Sequence, residues 1–232
     1  MSFPQPKPWI SAIAPYVPGK ATTASGRPAA KLSANESPLG PSPKAVAAMQ
    51  AACVNAHRYP DGGATLLREA IARHHGIEAD RIMCGTGSDE ALHLLAHAYC
   101  AAGDEVMFVR HGFMVYPIAA QRMGATLVEV PDRDYTADVD ALLAAVTPRT
   151  RILYLANPNN PTGTYLPESE ILRLHAGLPS DVILVLDAAY AEYVTAPDYE
   201  SGLELARRAP NVVTTRTFSK IYGLAAERIG WV

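Results

Sequence analysis

The sequence predicts an α/β fold, a three-layer sandwich in which helices cover both faces of a mainly parallel sheet of seven strands. Two observations carry this. From about residue 31, short runs rich in β-branched residues alternate with longer alanine- and leucine-rich stretches of helical spacing, the pattern of repeated strand–helix units. Several of the short runs are apolar at successive positions rather than alternate ones, as a strand buried on both faces requires. Strands are expected at Arg81 to Cys84, Glu105 to Val109, Thr126 to Val130, Arg151 to Ala156, Val182 to Leu186, Asn211 to Thr217 and Arg228 to Val232. Helices are expected at Pro43 to Ala56, Thr65 to His75, Asp89 to Ala101, Met114 to Met123, Asp138 to Val146, Pro167 to His175 and Ser201 to Arg208. Pro167 suits a first helical turn, where its missing N–H loses nothing, and Thr136 is placed to cap the helix after it. His74-His75 falls at a helix end, where a cation offsets the dipole.

Residues 1–30 are rich in Pro, Gly, Ser and Thr without periodicity and read as an arm lying over another surface, leaving residues 31–232 as one large domain. A chain of 232 residues that is 49% hydrophobic can bury a sizeable core. Its net charge of -3, with both signs interspersed, leaves no basic stripe and so argues against a nucleic-acid partner. No run approaches the roughly 18 apolar residues that cross a bilayer, and Pro4, Pro6 and Pro8 break the pattern of a signal peptide. Cys53, Cys84 and Cys100 are odd in number and form no CxxC pair, which fits buried thiols in a reducing compartment; the cytoplasm is expected. His93 and His97 have a metal-compatible spacing but no third ligand nearby, so no metal is expected.

Open α/β sheets hold their ligands at the carboxyl ends of the strands, and four polar clusters fall there. Gly85-Thr86-Gly87-Ser88-Asp89-Glu90 leads into an apolar helix; it fits a phosphate cradle or, equally, a tight strand-to-helix turn. Glu90 stands where the dinucleotide fingerprint needs its third glycine, and no GK[ST] follows. Asn157-Pro158-Asn159-Asn160-Pro161-Thr162-Gly163 is rigid and polar enough to hold an amide beside a ligand, the plain alternative being a stiff turn. Asp187 ends a buried strand, with Tyr190 close behind, and needs a cation or hydrogen-bond donors; a salt bridge or helix cap would also serve. In Thr217-Phe218-Ser219-Lys220, with Arg228 beyond, a lysine at a strand end can be desolvated into a nucleophilic amine, and the hydroxyls and guanidinium suit a phosphate dianion. A Ser-Lys pair alone is mostly solvated surface; the four clusters together on successive strands are what point to one site.

In this order the motifs resemble fold-type I pyridoxal-phosphate aminotransferases, and KLSANESPLG (31–40) with Tyr59-Pro60-Asp61 is similar to the histidinol-phosphate aminotransferase branch. The resemblance spans about residues 31–232 and implies the large domain of an aspartate-aminotransferase-like fold with pyridoxal 5'-phosphate as cofactor. By that resemblance Lys220 joins the cofactor covalently and moves the proton during catalysis. Asp187 pairs with the ring nitrogen, Tyr190 and Asn160 bond the phenolic oxygen, and Phe113 stacks on the ring. Ser88 and Asp89 N–H groups, Thr217, Ser219 and Arg228 hold the phosphate. Tyr59 reaches the phosphate of a neighbouring subunit, implying a homodimer with shared sites, and Asn35 and Glu36 lie over the substrate. The implied reaction moves an amino group from histidinol phosphate to 2-oxoglutarate, giving imidazole-acetol phosphate and glutamate, a step of histidine biosynthesis. An aromatic amino donor, decarboxylation of a phosphorylated amino acid, and a cofactor-binding fragment without activity are the alternatives.

Three departures stand out: Arg110-His111-Gly112-Phe113, where relatives often carry proline and tyrosine; Ala188, in place of an acidic residue; and Ala226-Glu227, in place of glycine-leucine. Family members continue into a C-terminal small domain bearing the arginine for the substrate carboxylate. Because the sequence stops at Val232, it is expected to be a fragment or incomplete copy of a longer enzyme.

Overall fold

A computed structural model describes residues 3–14, 22, 25–28 and 32–232. Of the expected arm, residues 1–2, 15–21, 23–24 and 29–30 lie outside the described residues, as does Lys31. Seven strands form one sheet: β1 (Cys84–Gly85), β2 (Glu105–Val109), β3 (Thr126–Val130), β4 (Thr150–Ala156), β5 (Ile183–Asp187), β6 (Val212–Thr217) and β7 (Gly230–Trp231), in the spatial order β1-β7-β6-β5-β4-β2-β3. The central pairs β3/β2, β2/β4, β4/β5 and β5/β6 are parallel, while β7 runs antiparallel to both β6 and β1.

The helices are α1 (Pro8–Ser11), α2 (Pro43–Ala52), α3 (Thr65–His75), α4 (Ser88–Tyr99), α5 (Val115–Arg122), α6 (Val139–Ala144), α7 (Glu168–Gly177) and α8 (Leu203–Arg208). Side chains alternate across each strand, so β2, β4 and β5 feed two cores. Met107, Leu153, Leu155 and Leu184 pack under α6, α7 and α8 with Leu142, Leu174 and Leu205. Val106, Phe108, Ile152, Tyr154 and Val185 pack under α4 and α5 with Leu92, Tyr116 and Ala120. Burial of both faces is why these strands read as continuous apolar runs.

Local chemistry sets several boundaries. Ser42 caps α2, its hydroxyl accepting from Ala45 N at 3.1 Å, with Pro43 in the first turn. The sequence placed a cap of α6 at Thr136, but Asp138 is the cap. Its carboxylate takes the N–H groups of Asp140 and Ala141, whereas Thr136 is bridged to Arg133. Pro167 is the residue before α7 rather than its first, held extended at ψ 160. The expected strand Arg81 to Cys84 is instead a 3-10 turn at Ala79–Arg81 followed by β1, and the last expected strand is reduced to Gly230–Trp231, with Val232 still exchanging backbone hydrogen bonds with Met83. Arg228 sits in the left-handed region at φ 50, which breaks the strand before it can start there. Pro43 to Ala56 divides into α2 and a 3-10 turn at Cys53–Asn55.

Two chemical expectations also change. Cys53 is exposed and Cys84 half-buried, so of the three thiols only Cys100 is buried, which pushes its pKa up to about 11. His75 packs against Trp231, with ring centroids 5.1 Å apart. Burial foremost, then the neighbouring Arg216, lowers its pKa to about 4, so it is neutral at the end of α3 and offsets no dipole. In α1, Trp9 lies against Gly124, where an added Cβ would come within 3.0 Å of the indole. Among the described residues no helix is long and apolar enough to cross a membrane, and no cluster of three or more His, Cys, Asp or Glu side chains could hold a metal.

Candidate active site

The carboxyl ends of β5 and β6 bring Asp187 and the Thr217–Lys220 segment side by side, with Asp187 paired to Thr215 in register. Asp187 is buried with 4% exposure. Burial raises its pKa, opposed by three hydrogen bonds to the charged form, from Tyr116, Thr215 and the N–H of Ala189. The Tyr116 hydroxyl donates to one carboxylate oxygen at 2.9 Å and the Thr215 hydroxyl to the other at 3.0 Å. These are neutral donors, so the carboxylate's charge is solvated by dipoles only, and the place suits a cation or a protonated nitrogen.

Lys220 is half-buried, and its Nζ donates to the carbonyl of Ala34 at 3.0 Å while lying 5.5 Å from the centre of the Tyr190 ring. Burial lowers its pKa; Asp89, Glu36 and Asp187 pull it back up, and Arg228 pushes it down. The amine therefore reaches its neutral, nucleophilic form more readily than a surface lysine. The segment over it is the one the sequence singled out: Asn35, at φ 52, donates from Nδ2 to the Tyr190 hydroxyl at 3.0 Å. An added Cβ on Gly223 would meet the Gly40 carbonyl oxygen at 2.4 Å, so this glycine permits the close approach of the two segments.

At the other end of the cleft, the start of α4 meets β7 and Arg228. Gly87 adopts φ 81 and is followed by Ser88 and Asp89, whose N–H groups belong to the first turn of the helix and lack intrahelical acceptors. Ser88, Thr217 and Ser219 are each under a tenth exposed, and Arg228 Nη1 donates to the Ser219 hydroxyl at 3.0 Å. A Cβ on Gly87 would come within 2.6 Å of the Arg228 guanidinium, and one on Gly230 within 2.4 Å of Ser88 N. Helix N–H groups, hydroxyls and a guanidinium packed this tightly form a donor set for a multivalent anion. Glu90 has its own part here: its carboxylate accepts from Thr86 N at 2.7 Å and from the Thr86 hydroxyl, bracing the turn where a third glycine would leave it free.

Phe113 stands edge-on to Tyr116, with centroids 5.8 Å apart, and Tyr116 in turn stacks on Tyr154. Asn160, Asn35, Glu36 and Tyr190 line an open cavity of about 630 Å³, together with Tyr165 and Tyr193. Its neighbour Asn159 is a clamp, donating to the His111 carbonyl and to Thr162. Tyr59 is fully exposed and is not brought to this cleft. A second cavity of about 440 Å³ lies between α4, α8 and β7, lined largely by apolar side chains such as Leu94, Leu203 and Trp231, and has no comparable chemistry. Sequence reading missed Tyr116 and Thr215. Thr215 was within reach, since it shares the strand face of Thr217; nothing in the local pattern of α5 marks Tyr116.

Residues 27–232 match the family described as aminotransferase class I and II. The chain belongs to that family. Among its relatives, histidinol-phosphate aminotransferase of Sphingopyxis alaskensis is 62% identical over 229 residues, covering 97% of this chain and 62% of the relative. The enzyme of the same name from Rhodopseudomonas palustris strain HaA2 is 58% identical over 233 residues, covering the whole chain and 64% of the relative. The chain thus spans a little under two thirds of these relatives. The crystal structure of histidinol-phosphate aminotransferase from Sinorhizobium meliloti in complex with pyridoxal-5'-phosphate superposes with a TM-score of 0.91 at 35% identity, covering 99% of this chain and 63% of that one. A Thermus thermophilus aspartate aminotransferase variant, at 24% identity and a TM-score of 0.80, shares the fold.

Proposed function

We propose that this chain carries the pyridoxal 5'-phosphate site of an aminotransferase that moves an amino group from histidinol phosphate to 2-oxoglutarate. The carrying observation is the pairing at adjacent strand ends of a buried carboxylate short of a cation, Asp187, with a desolvated amine, Lys220. The cofactor fits the donor set: a protonated ring nitrogen supplies the charge Asp187 lacks, and a phosphate matches the donors around Ser88, Thr217, Ser219 and Arg228. Bound there, pyridoxal 5'-phosphate supplies a conjugated ring that draws electrons from the bond broken at the substrate's α-carbon.

The chain's own groups divide the remaining work. The neutral amine of Lys220 would hold the cofactor covalently, with water as the leaving group, and once displaced by the substrate amine the same nitrogen would take up and return the α-proton. Asp187, held by Tyr116 and Thr215, would keep a proton on the ring nitrogen. Tyr190 and Asn160 would hydrogen-bond the phenolic oxygen, Phe113 would flank the ring, and Arg228 and the start of α4 would bind and orient the phosphate. Asn35 and Glu36 cover the substrate, and the carboxylate of Glu36 suits an imidazolium or other cationic side chain. The substrate assignment is supported by that cavity together with relatives of 58–62% identity that bear the name.

A homodimer belongs to the same reading. Leu39, Val54, Tyr59 and Leu66 are all exposed in the segment around α2 and α3, and a second copy seated there would cover them. Tyr59 would then serve the partner's phosphate.

Borohydride reduction of the holoprotein followed by peptide mapping should place the label on Lys220; a label elsewhere refutes the site. With 2-oxoglutarate, histidinol phosphate should release glutamate faster than phenylalanine or tyrosine does. Faster release from the aromatic donors would overturn the substrate assignment.

A further inference from the structure

The proposed function leaves unused an ion pair, with Arg216 buried and Glu192 half-buried, that involves the strand leading to the lysine. Glu192 lies in the 3-10 turn Ala191–Tyr193, just after Tyr190. Its Oε1 accepts from Arg216 Nη2 and, at 3.2 Å, from the Tyr222 hydroxyl. Arg216 is on β6 shortly before Lys220, and Tyr222 follows the lysine closely. Alternation along β6 sends Thr215 and Thr217 to the face of Asp187 and Arg216 to the opposite one, where it is 5% exposed and lies 5.7 Å from the centre of the Trp231 ring. The segment that carries the lysine folds back on itself just past Tyr222: Gly223 N bonds Lys220 O, and Leu224 N bonds Phe218 O, each at 3.0 Å. Tethering Arg216 and Tyr222 therefore holds Lys220 between two fixed points.

We propose that Glu192 is a positioning residue for Lys220, fixing the segment that carries the lysine against the segment that carries Tyr190. The inference rests on Lys220 being the reactive amine. Stability alone is a weak reason for such a pair, because well-packed apolar residues often replace a largely buried ion pair at no cost. Geometry does explain it: a single carboxylate oxygen ties together both sides of the lysine and the tyrosine whose ring faces it. The groups facing Glu192 are Arg216, Tyr222, neighbouring Tyr193 and, from α3, His75; Tyr199 also feels its charge. The charges acting most on Lys220 are Asp89, Glu36, Arg228 and Asp187. Neutralising Glu192 and Arg216 together leaves that set and the net charge unchanged, so an effect on the lysine then reports its position.

The test uses holoprotein bearing Glu192→Gln, Glu192→Gln with Arg216→Met, or Tyr222→Phe. Thermal midpoint, the pH at which the visible absorbance of the lysine-linked cofactor changes, kcat and KM are measured for each. Glu192→Gln alone should lower the midpoint, because Arg216 loses its partner, and the double variant should recover it. In the double variant the absorbance transition should still be displaced by about half a pH unit or more, and kcat should remain about 10- to 100-fold low with KM changed less than about threefold. Recovery of spectrum and kcat along with stability would overturn the proposal. If the double variant does not fold, Tyr222→Phe decides: a displaced transition supports the proposal, and behaviour identical to the parent sinks it. Borohydride mapping of the parent protein separates the underlying reading, since a label away from Lys220 removes that reading whatever the variants do.

Discussion

Replacing Asp187 with Asn should make the cofactor-free protein more stable and the holoprotein less able to form. In the fold Asp187 meets two hydroxyls and one backbone N–H but no cation, and burial raises its pKa. A raised pKa means that the native state binds the proton more tightly than the unfolded chain, so the stability it contributes is full below the unfolded carboxyl value and is lost as pH rises through the folded one. At neutral pH and above, the charged group is therefore a net burden. Asn has the same shape, and the Tyr116 and Thr215 hydroxyls can each turn to donate or accept, so both contacts survive. Removing a buried charge short of partners while keeping its hydrogen bonds should gain about 2 kcal/mol. In a chain of this size that raises the thermal midpoint by about 4–8 °C. Differential scanning of cofactor-free parent and variant at pH 5 and pH 8 checks it. The gain should be larger at pH 8 and shrink at pH 5, while pyridoxal phosphate binding weakens. A variant less stable than the parent at both pH values would refute the account of Asp187 as a desolvated charge awaiting a cation.

Gly230→Ala should destabilise by about 1–3 kcal/mol and weaken phosphate binding, because the new methyl would lie 2.3 Å from the Gly87 carbonyl carbon and displace the start of α4. Chemical denaturation and equilibrium dialysis with pyridoxal phosphate measure the two effects, and an unchanged affinity would count against the anion site drawn above. His75→Phe should flatten the acid limb of the stability curve. The folded pKa of His75 lies below the unfolded 6.5 at about 4, so the stability it contributes is present above 6.5 and lost as pH falls toward 4. Allowing for its partial exposure, that loss is about 1–2 kcal/mol, read as the difference between urea midpoints of parent and variant at pH 7 and pH 4.5.

Legibility in the sequence followed the range of the interactions. Glu105–Val109 and Thr126–Val130 were read to the residue: the first is buried on both faces inside the parallel sheet and shows as a continuous apolar run, while the second, at the sheet edge, shows as a short run of β-branched residues ended by Pro131. Cys84–Gly85 and Gly230–Trp231 were not, since each is a strand only by virtue of pairing with the other and with β6. The glycine turn, the strand-end Asp187 and the Lys220 segment were visible as unusual chemistry at strand ends. Asn159 and Asn160 look alike in sequence and both line the cavity, yet only the fold makes Asn159 a clamp on His111.

The sequence by itself determined the layered α/β plan, the order of the polar clusters and the residue types available for binding an anion and activating an amine, because strand and helix periodicities and strand-end chemistry are local properties. Only the tertiary structure decided which groups meet: Tyr116 with Asp187 across α5 and β5, Glu192 with Arg216 and Tyr222, and His75 neutralised against Trp231. Those contacts join residues distant along the chain, and their strength depends on how much water the packed layers exclude, a quantity that no stretch of sequence carries alone.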